Sequence, residues 1–365
     1  MGFEDFCGNR NAVEQVQSLL RSGRLPHALI FAGSRGVGRY TLAQMLAKTL
    51  HCLEREQDFC GQCRNCRTIA RADDRHQALE EAEQEREKLS RRPREIPLVI
   101  QHHPDVVVLL PNGPLRLFQI EQARYLKQAL TFLPASGRHK VFLLPEAERM
   151  DAAAANSLLK SLEEPPPQVV LLLTASSESA LLPTIRSRCV TIWLSPSPRE
   201  QVVAFLEKHR AGRDSAERHL RAALSKGSPG LALRLDLERY LPIREAWLKV
   251  LLAGATRHDF GALFGQIQKL SGEKEGLENL LDVLYSLLHD ILHIETKANG
   301  EPLRNVDGPK MLWEASRALG AAGVIRGGIA LRELERNLRR NVSKQLALEA
   351  FAICLAPVRR MSNEP

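Results

Sequence analysis

A glycine-rich segment near the start of the chain has the spacing of a phosphate-binding loop. It reads Gly33-Ser34-Arg35-Gly36-Val37-Gly38-Arg39-Tyr40-Thr41. Glycines at this spacing allow backbone N–H groups to curl around an anion at a helix N-terminus, where the helix dipole adds attraction. The sequence therefore predicts a phosphate loop, and its candidate binding residues are Gly33, Gly36, Gly38, Arg39 and Thr41.

The side chains that a hydrolytic loop uses are replaced in this segment. Such a loop has Lys after its last glycine to reach the β and γ phosphates, followed by Ser or Thr to hold Mg²⁺. Here those positions are Arg39 and Tyr40. The planar guanidinium differs in shape from a compact ammonium, and a phenol is a poor replacement for a small hydroxyl beside a metal.

The second Mg²⁺ ligand is expected at the end of a later apolar strand and is also missing. Pro145 follows the run Val141–Leu144, which leaves Glu146 next to it. Because phosphoryl transfer depends on positioning and on metal-assisted neutralisation of charge, we expect no useful hydrolysis of Mg–ATP. Weak binding of nucleotide and a loop that is only a remnant of the fold both stay open.

Four cysteines lie close together after the loop. Cys52, Cys60, Cys63 and Cys66 form two overlapping Cys-x-x-Cys units with a fourth Cys nearby. Four thiolates match tetrahedral zinc, so the sequence predicts a structural zinc site in residues 52–66. Four reduced, metal-free thiols are the competing interpretation, an iron–sulfur cluster is less well supported, and His51 is an alternative ligand to Cys52.

The elements that must position these residues follow an alternating pattern. Short apolar runs alternate with segments of helical periodicity, which is typical of a parallel α/β sheet. Each run is nearly continuous in apolar residues, as in strands covered on both faces. The predicted strands are Ala28–Ala32, Val106–Leu110, Val141–Leu144, Val169–Thr174 and Val190–Leu194.

The rest of the chain is predicted to be helical, with one unusual insertion. Residues 72–97 are mostly charged and cannot form a core of their own, so we expect a solvated helical arm or a disordered insertion. Beyond Pro198 the strand pattern ends, and we predict helices interrupted near Gly212, at Gly227–Gly230 and around Pro242.

Composition and charge narrow the class of protein. The chain has 365 residues, 44% of them hydrophobic, and Lys plus Arg (51) exceed Asp plus Glu (43), giving a net charge of +8. This permits a polyanionic partner without requiring one. The apolar runs are shorter than the ~20 residues of a membrane helix, so we expect no membrane association and a cytoplasmic location.

Three segments resemble bacterial clamp-loader subunits of the AAA+ family. They are Leu25-Pro26-His27-Ala28-Leu29-Ile30-Phe31, Asn156-Ser157-Leu158-Leu159-Lys160-Ser161-Leu162-Glu163-Glu164-Pro165-Pro166 and Leu182-Pro183-Thr184-Ile185-Arg186-Ser187-Arg188-Cys189. The degenerate phosphate loop resembles that of the clamp-loader subunit that does not hydrolyse ATP, rather than that of the gamma/tau subunit, whose loop is intact.

The resemblance implies an architecture and a place in an assembly. The expected fold is an AAA+ P-loop-type parallel sheet in residues 1–196, a small helical lid in residues 197–243, and an all-α collar domain in residues 244–365. The expected state is a hetero-oligomer with gamma/tau and delta subunits, which meets the sliding clamp indirectly and primed DNA through the assembled complex.

The resemblance also implies roles for single residues. Arg188 corresponds to an arginine finger that is presented in trans to ATP bound by a neighbouring gamma/tau subunit. Gly230 stands where active relatives carry a sensor arginine, and the zinc module has counterparts in these subunits. Two alternatives are kept: a gamma/tau-like ATPase with an unusual phosphate loop, and a zinc-bearing nucleic-acid adaptor outside replication.

Overall fold

The computed structural model describes residues 2–89, 96–112, 117–135, 138–256, 260–272, 277–296, 303–339 and 342–355. The chain divides into two compact units, Met1–Phe205 with Gly227–Leu231, and Leu206–Lys226 with Ala232–Pro365. The division into core, lid and collar at residues 196 and 243 stays a prediction.

The first unit is built on a six-stranded sheet. Its strands are β1 (Ala28–Gly33), β2 (Val99–His103), β3 (Val106–Leu109), β4 (Lys140–Leu144), β5 (Val169–Ala175) and β6 (Val190–Leu194). Their order in the sheet is β2-β3-β4-β5-β1-β6, and every pair is parallel except β2 with β3. The predicted α/β class is confirmed, and the five predicted strands form the parallel part of the sheet.

Helices cover both faces of this sheet. The helices of the unit are α1 (Arg10–Ser22), α2 (Arg39–His51), α3 (Arg64–Ala70), α4 (Arg75–Leu89), α5 (Ile120–Leu130), α6 (Ala152–Glu163) and α7 (Pro183–Arg186). Leu29 and Phe31 of β1 pack with residues of α1, α2 and α4, whereas Ile30 packs with residues of α5, α6 and α7. Burial on both faces explains why β1 and β3 to β5 are almost continuously apolar.

Strand β2 is an element that the apolar pattern does not predict. Its sequence, Val-Ile-Gln-His-His, is largely polar, and only Ile100 and His103 are buried. It lies antiparallel to β3 at the edge of the sheet, where a strand needs only one apolar face.

Residues 75–89 of the charged insertion form helix α4. The expected helix is present, but it packs against the sheet and is not a solvated arm. Helix α4 buries Ala78 and Ala82 against the sheet, and Leu79 is half-buried beside them. Most of its charged residues are exposed, whereas Arg75 and Arg86 are half-buried and bond to Glu146 and Asn112. Residues 90–95 lie outside the described residues.

The chain beyond the sheet is helical, as predicted. The helices are α8 (Arg199–Lys208), α9 (Ser215–Leu224), α10 (Pro229–Arg234), α11 (Leu237–Thr256), α12 (Phe260–Gly272), α13 (Leu277–Thr296), α14 (Pro309–Arg339) and α15 (Lys344–Cys354). Helix α14 is kinked at Gly320, which has a φ of 58°.

The core of the second unit lies among α11 to α15. Trp247 is fully buried, meets Phe351 edge-to-face, and donates a hydrogen bond to the carbonyl of Leu280 at 3.0 Å. The expected helix break around Pro242 is wrong, since α11 continues through it. Ile243 and Trp247 on the same helix are buried, and their packing outweighs the one backbone hydrogen bond that proline removes. None of the helices within the described ranges is long and apolar enough to span a bilayer.

Candidate functional site

The phosphate loop joins β1 to α2, as the spacing predicts. Gly36 and Gly38 have φ values of 82° and 104°, in the left-handed region that favours glycine. A Cβ at Gly38 would lie 2.6 Å from the Phe6 ring, so no side chain fits there. Thr41 is exposed in the first turn of α2.

The segment at the start of α10 covers the loop on one side. The Gly230 N–H donates to the carbonyl of Gly36 at 2.9 Å. A Cβ at Gly36 would meet the Leu231 side chain at 2.6 Å, and one at Gly230 would lie 3.0 Å from the Gly36 oxygen. Gly230 therefore allows a close backbone contact at the position where the resemblance implies a missing sensor arginine.

Tyr40 points away from the phosphate loop. Its hydroxyl donates to the carbonyl of Ala72 at 2.7 Å and accepts a hydrogen bond from Nε2 of Gln44 at 2.7 Å. Burial raises the pKa of this phenol, so it stays neutral. The Tyr40 hydroxyl therefore links α2 to the start of the charged insertion and does not face the loop.

Arg39 is half-buried at the N-terminus of α2, close to two carboxylates. Burial lowers the pKa of Arg39, while the charges of Glu148 and Glu146 oppose that shift. Its Nη1 is buried and has no hydrogen-bond partner among the residues that the structure describes. The guanidinium thus faces the acidic segment that follows β4.

Glu146, the carboxylate next to the missing metal ligand, is held by two arginines. Its Oε1 lies 2.8 Å from Nη2 of Arg75 in α4, and its Oε2 lies 2.7 Å from Nε of Arg149. Its backbone N–H donates to Oγ1 of Thr174 at 3.1 Å, and the backbone is left-handed with a φ of 58°. Both oxygens of this carboxylate are therefore engaged by arginines.

Arg188 lies between α7 and β6. Because β6 is parallel to β1, Arg188, which precedes β6, lies at the opposite edge of the sheet from the loop that follows β1. Its Nη1 donates to the carbonyl of Thr184 at 2.9 Å and to Oγ of Ser187 at 3.0 Å, and its Nη2 is paired with Glu163 at the end of α6. About a third of the side chain is exposed. The guanidinium is therefore held in one orientation at the surface of the unit.

The four cysteines come together at the C-terminus of α2 and the start of α3. One sulfur atom from each lies within 4.8 Å of the others, and Cys60, Cys63 and Cys66 are buried. The N–H groups of Cys63 and Cys66 donate to Sγ of Cys60 and Cys63 at 3.2 and 3.5 Å. Gly61 has a φ of 70°, which makes the turn between Cys60 and Cys63 possible.

The donor set fits a metal ion. Although burial opposes it, N–H donors from Leu53 and Cys66 lower the pKa of the Cys63 thiol to about 7, which favours the thiolate that binds metal. Four sulfur donors in a compact, N–H-lined group are the arrangement of a structural zinc site.

His51 does not join the cysteines, although it immediately precedes Cys52. Its side chain instead lies with those of His103 and Asp105, in a second group of donors that are also within 4.8 Å of one another. Burial lowers the pKa of His51 to about 4.

Several residues of these sites were not predicted. Arg75 and Thr174 lie outside the motifs, and Glu163 lies within a family segment but was given no role there. All three meet their partners only through the packing of α4, β5 and α6. His103 and Asp105 are two residues apart in the sequence, but only the fold brings them to His51.

Comparisons with known proteins agree with the motifs. A family model described as "DNA polymerase III, delta subunit" matches residues 8–198. The delta′ subunit of DNA polymerase III from Bacillus subtilis is 26% identical over 342 residues, which are 92% of this chain and 92% of that protein. The delta′ subunit from Escherichia coli is 27% identical and covers 84% of this chain and 81% of its own length.

The tau subunit of DNA polymerase III from Escherichia coli is also similar. It is 32% identical over 209 residues, which are 56% of this chain but 27% of tau. The match to the delta′ relatives therefore extends over most of both chains, whereas the match to tau is confined to part of each. The resemblance to clamp-loader subunits that the motifs predicted is confirmed.

Proposed function

Because this chain belongs to the DNA polymerase III delta subunit family, we propose that it is a delta′-type subunit of a clamp loader. In that role it does not hydrolyse ATP itself. It assembles with gamma/tau and delta subunits, helps to load the sliding clamp on primed DNA, and lends Arg188 to ATP bound by a neighbouring ATPase subunit.

The observation that carries the non-hydrolysing role is the state of Tyr40. Its hydroxyl is hydrogen-bonded to Ala72 and Gln44 and cannot reach a metal ion at the loop. With Pro145 in place of the acidic ligand, neither protein contact to Mg²⁺ is available. Phosphoryl transfer without positioned Mg²⁺ loses its main means of neutralising charge.

A subunit that cannot hydrolyse ATP can still provide an arginine to the ATP that a neighbouring subunit binds. An arginine finger stabilises the charge that develops on the transferred phosphoryl group and contributes ~10³–10⁵ in rate. The donor subunit needs no hydrolytic machinery of its own. The surface position of Arg188 and its three hydrogen-bonding partners support this role.

Steady-state ATP hydrolysis by the purified chain tests the non-hydrolysing role. We expect no rate above background, and no change in the Arg39→Ala variant. A robust rate that is lost in Arg39→Ala would contradict the proposal and favour a gamma/tau-like ATPase.

We also propose that Cys52, Cys60, Cys63 and Cys66 hold a structural zinc ion. All four tetrahedral positions are then filled by sulfur, which leaves no open position for catalysis. The Cys63→Ser variant should lose about one zinc ion per chain relative to the wild type, because one thiolate is removed. Cys189→Ser, at a half-buried cysteine outside the module, is the matched control and should keep its zinc; equal zinc in both variants would refute the site.

A further inference from the structure

Three buried side chains meet near the edge of the sheet, beside the cysteine module but separate from it. His51 is the last residue of α2, His103 ends β2, and Asp105 lies in the turn between β2 and β3. One donor atom from each lies within 4.8 Å of the others. Their exposed fractions are 3%, 3% and 0%.

The protein does not provide the hydrogen bonds that His51 requires. Both of its ring nitrogens are buried and have no partner in the described part of the chain. Its ring is 4.8 Å from that of His103 and tilted by 51°, so the imidazole of His103 covers it without forming a hydrogen bond to it. A buried polar atom without a partner costs ~1–3 kcal/mol, and this arrangement therefore needs an explanation.

The other two residues are oriented by backbone groups. The Asp105 N–H donates to Nδ1 of His103 at 3.2 Å, so this nitrogen is unprotonated, and an ion bound to it would take the place of this hydrogen bond. The Ala135 N–H donates to Oδ1 of Asp105 at 2.6 Å and fixes that carboxylate. Ligating carboxylates in metal sites are commonly oriented by a hydrogen bond of this kind.

We propose that His51, His103 and Asp105 bind a zinc ion that is distinct from the one in the cysteine module. Two imidazole nitrogens and one carboxylate oxygen are a donor set that zinc accepts. An ion would satisfy one nitrogen of His51 and would draw the three donors together. It would also tie the C-terminus of α2 to the antiparallel edge of the sheet, where β2 contributes few apolar contacts.

Zinc content of the full-length chain and of matched variants tests the proposal. The wild type, loaded with zinc and separated from excess ion, should hold about two ions per chain. His103→Gln should hold about one, whereas His102→Gln, at a half-buried histidine outside the group, should hold about two. Circular dichroism of each variant shows whether it folds. About one ion in the wild type and in both variants would overturn the proposal.

Zinc X-ray absorption of the wild type gives a second test that needs no variant. Two ions should give an average first shell of about half sulfur and half nitrogen or oxygen, with the scattering pattern of imidazole. One ion per chain with four sulfur ligands, or with three sulfurs and one imidazole, would overturn the proposal. The latter result would mean that His51 replaces a cysteine. Because the cysteine module is measured separately by Cys63→Ser, failure of one site is distinguishable from failure of the other.

Discussion

At the scale of single residues, the glycine-rich loop shows how packing can engage a side chain at a position where a ligand-binding group is expected. Tyr40 stands where a small hydroxyl would hold Mg²⁺, and its own hydroxyl bridges Gln44 and Ala72 instead. The residue has therefore become part of the packing between α2 and the charged insertion. The replacement of Lys by Arg39 is readable in the sequence, but the partners of Tyr40 are 4 and 32 residues away and depend on the fold.

The first prediction concerns this bridge. Tyr40→Phe removes the hydroxyl and leaves the carbonyl of Ala72 with only the longer hydrogen bond from Nε2 of Gln44, at 3.4 Å, so we expect the free energy of unfolding to fall by ~1 kcal/mol. Urea denaturation followed by circular dichroism measures it. The matched control is Tyr125→Phe. Burial is the one cause that raises the pKa of the Tyr125 hydroxyl, and no hydrogen bond contributes to the shift. This substitution should therefore change the free energy of unfolding by less than ~0.5 kcal/mol. Equal effects of the two substitutions would contradict the structural role of Tyr40.

The second prediction concerns the partner of Arg188. Glu163 pairs with one terminal nitrogen of the guanidinium, while Thr184 and Ser187 hold the other. Glu163→Gln removes the ionic contact but keeps the shape, so we expect a guanidinium that is less well oriented. ATP turnover by the reconstituted clamp loader should fall ~10-fold in kcat with little change in KM, because misplacement by about an ångström can cost ~10² in rate.

Glu164→Gln is the control for Glu163, because Glu164 is the adjacent exposed carboxylate. Its turnover should match that of the wild type. If Glu163→Gln also matches the wild type, or if it raises KM alone, Glu163 does not position Arg188.

At the scale of elements, the pattern of apolar residues predicted the parallel strands because each is buried on both faces and is therefore almost purely apolar. It did not predict β2, whose Gln101 is exposed and whose His102 is half-buried. It also placed a break at Pro242, where α11 continues. An edge strand and a proline inside a packed helix depend on tertiary contacts that a local pattern does not contain.

The third prediction concerns a contact between α11 and the segment that precedes α14. Arg244 and Asp307 form a bidentate salt bridge, with Nη1–Oδ1 and Nη2–Oδ2 distances of 2.6 and 2.7 Å. Although burial opposes it, the hydrogen bond and charge of Arg244 lower the pKa of Asp307. Because a third of Asp307 is exposed, we expect Asp307→Asn to reduce stability by only ~1 kcal/mol at neutral pH.

The pH dependence of this pair follows from the lowered pKa. The folded state favours ionised Asp307, so the contribution is complete above the ordinary aspartate pKa of about 3.9 and is lost as the pH falls through the lower folded value. The difference in unfolding free energy between the wild type and Asp307→Asn should therefore vanish in strong acid. Glu245→Gln, which removes a more exposed pair with Lys249, should change stability by ~0.3 kcal/mol. A wild-type-to-variant difference for Asp307→Asn that persists in strong acid would contradict this account.

At the scale of the whole molecule, the two opposite edges of the parallel sheet differ in what they offer to a nucleotide. The loop after β1 keeps the backbone geometry of a phosphate site, while Glu146 beside it is neutralised by Arg75 and Arg149. Arg188, before β6, is held at the surface. The motifs in the sequence predicted both ends, but not the contacts that neutralise one and orient the other, because those partners come from α4, α6 and other distant parts of the chain.

The most direct test of this asymmetry is ATP turnover by a clamp loader reconstituted from gamma/tau and delta subunits with either the wild-type chain or Arg188→Ala. The variant should fold and assemble normally, because the side chain is exposed in part and its partners are at the surface. Arg67→Ala, at an exposed arginine of α3, is the matched control and should leave turnover unchanged.

We expect hydrolysis at the ATP site beside this chain to fall by ~10³-fold in Arg188→Ala, and the turnover of the whole complex to fall with it. Turnover equal to that of the wild type, in a complex shown to be fully assembled, would contradict the account.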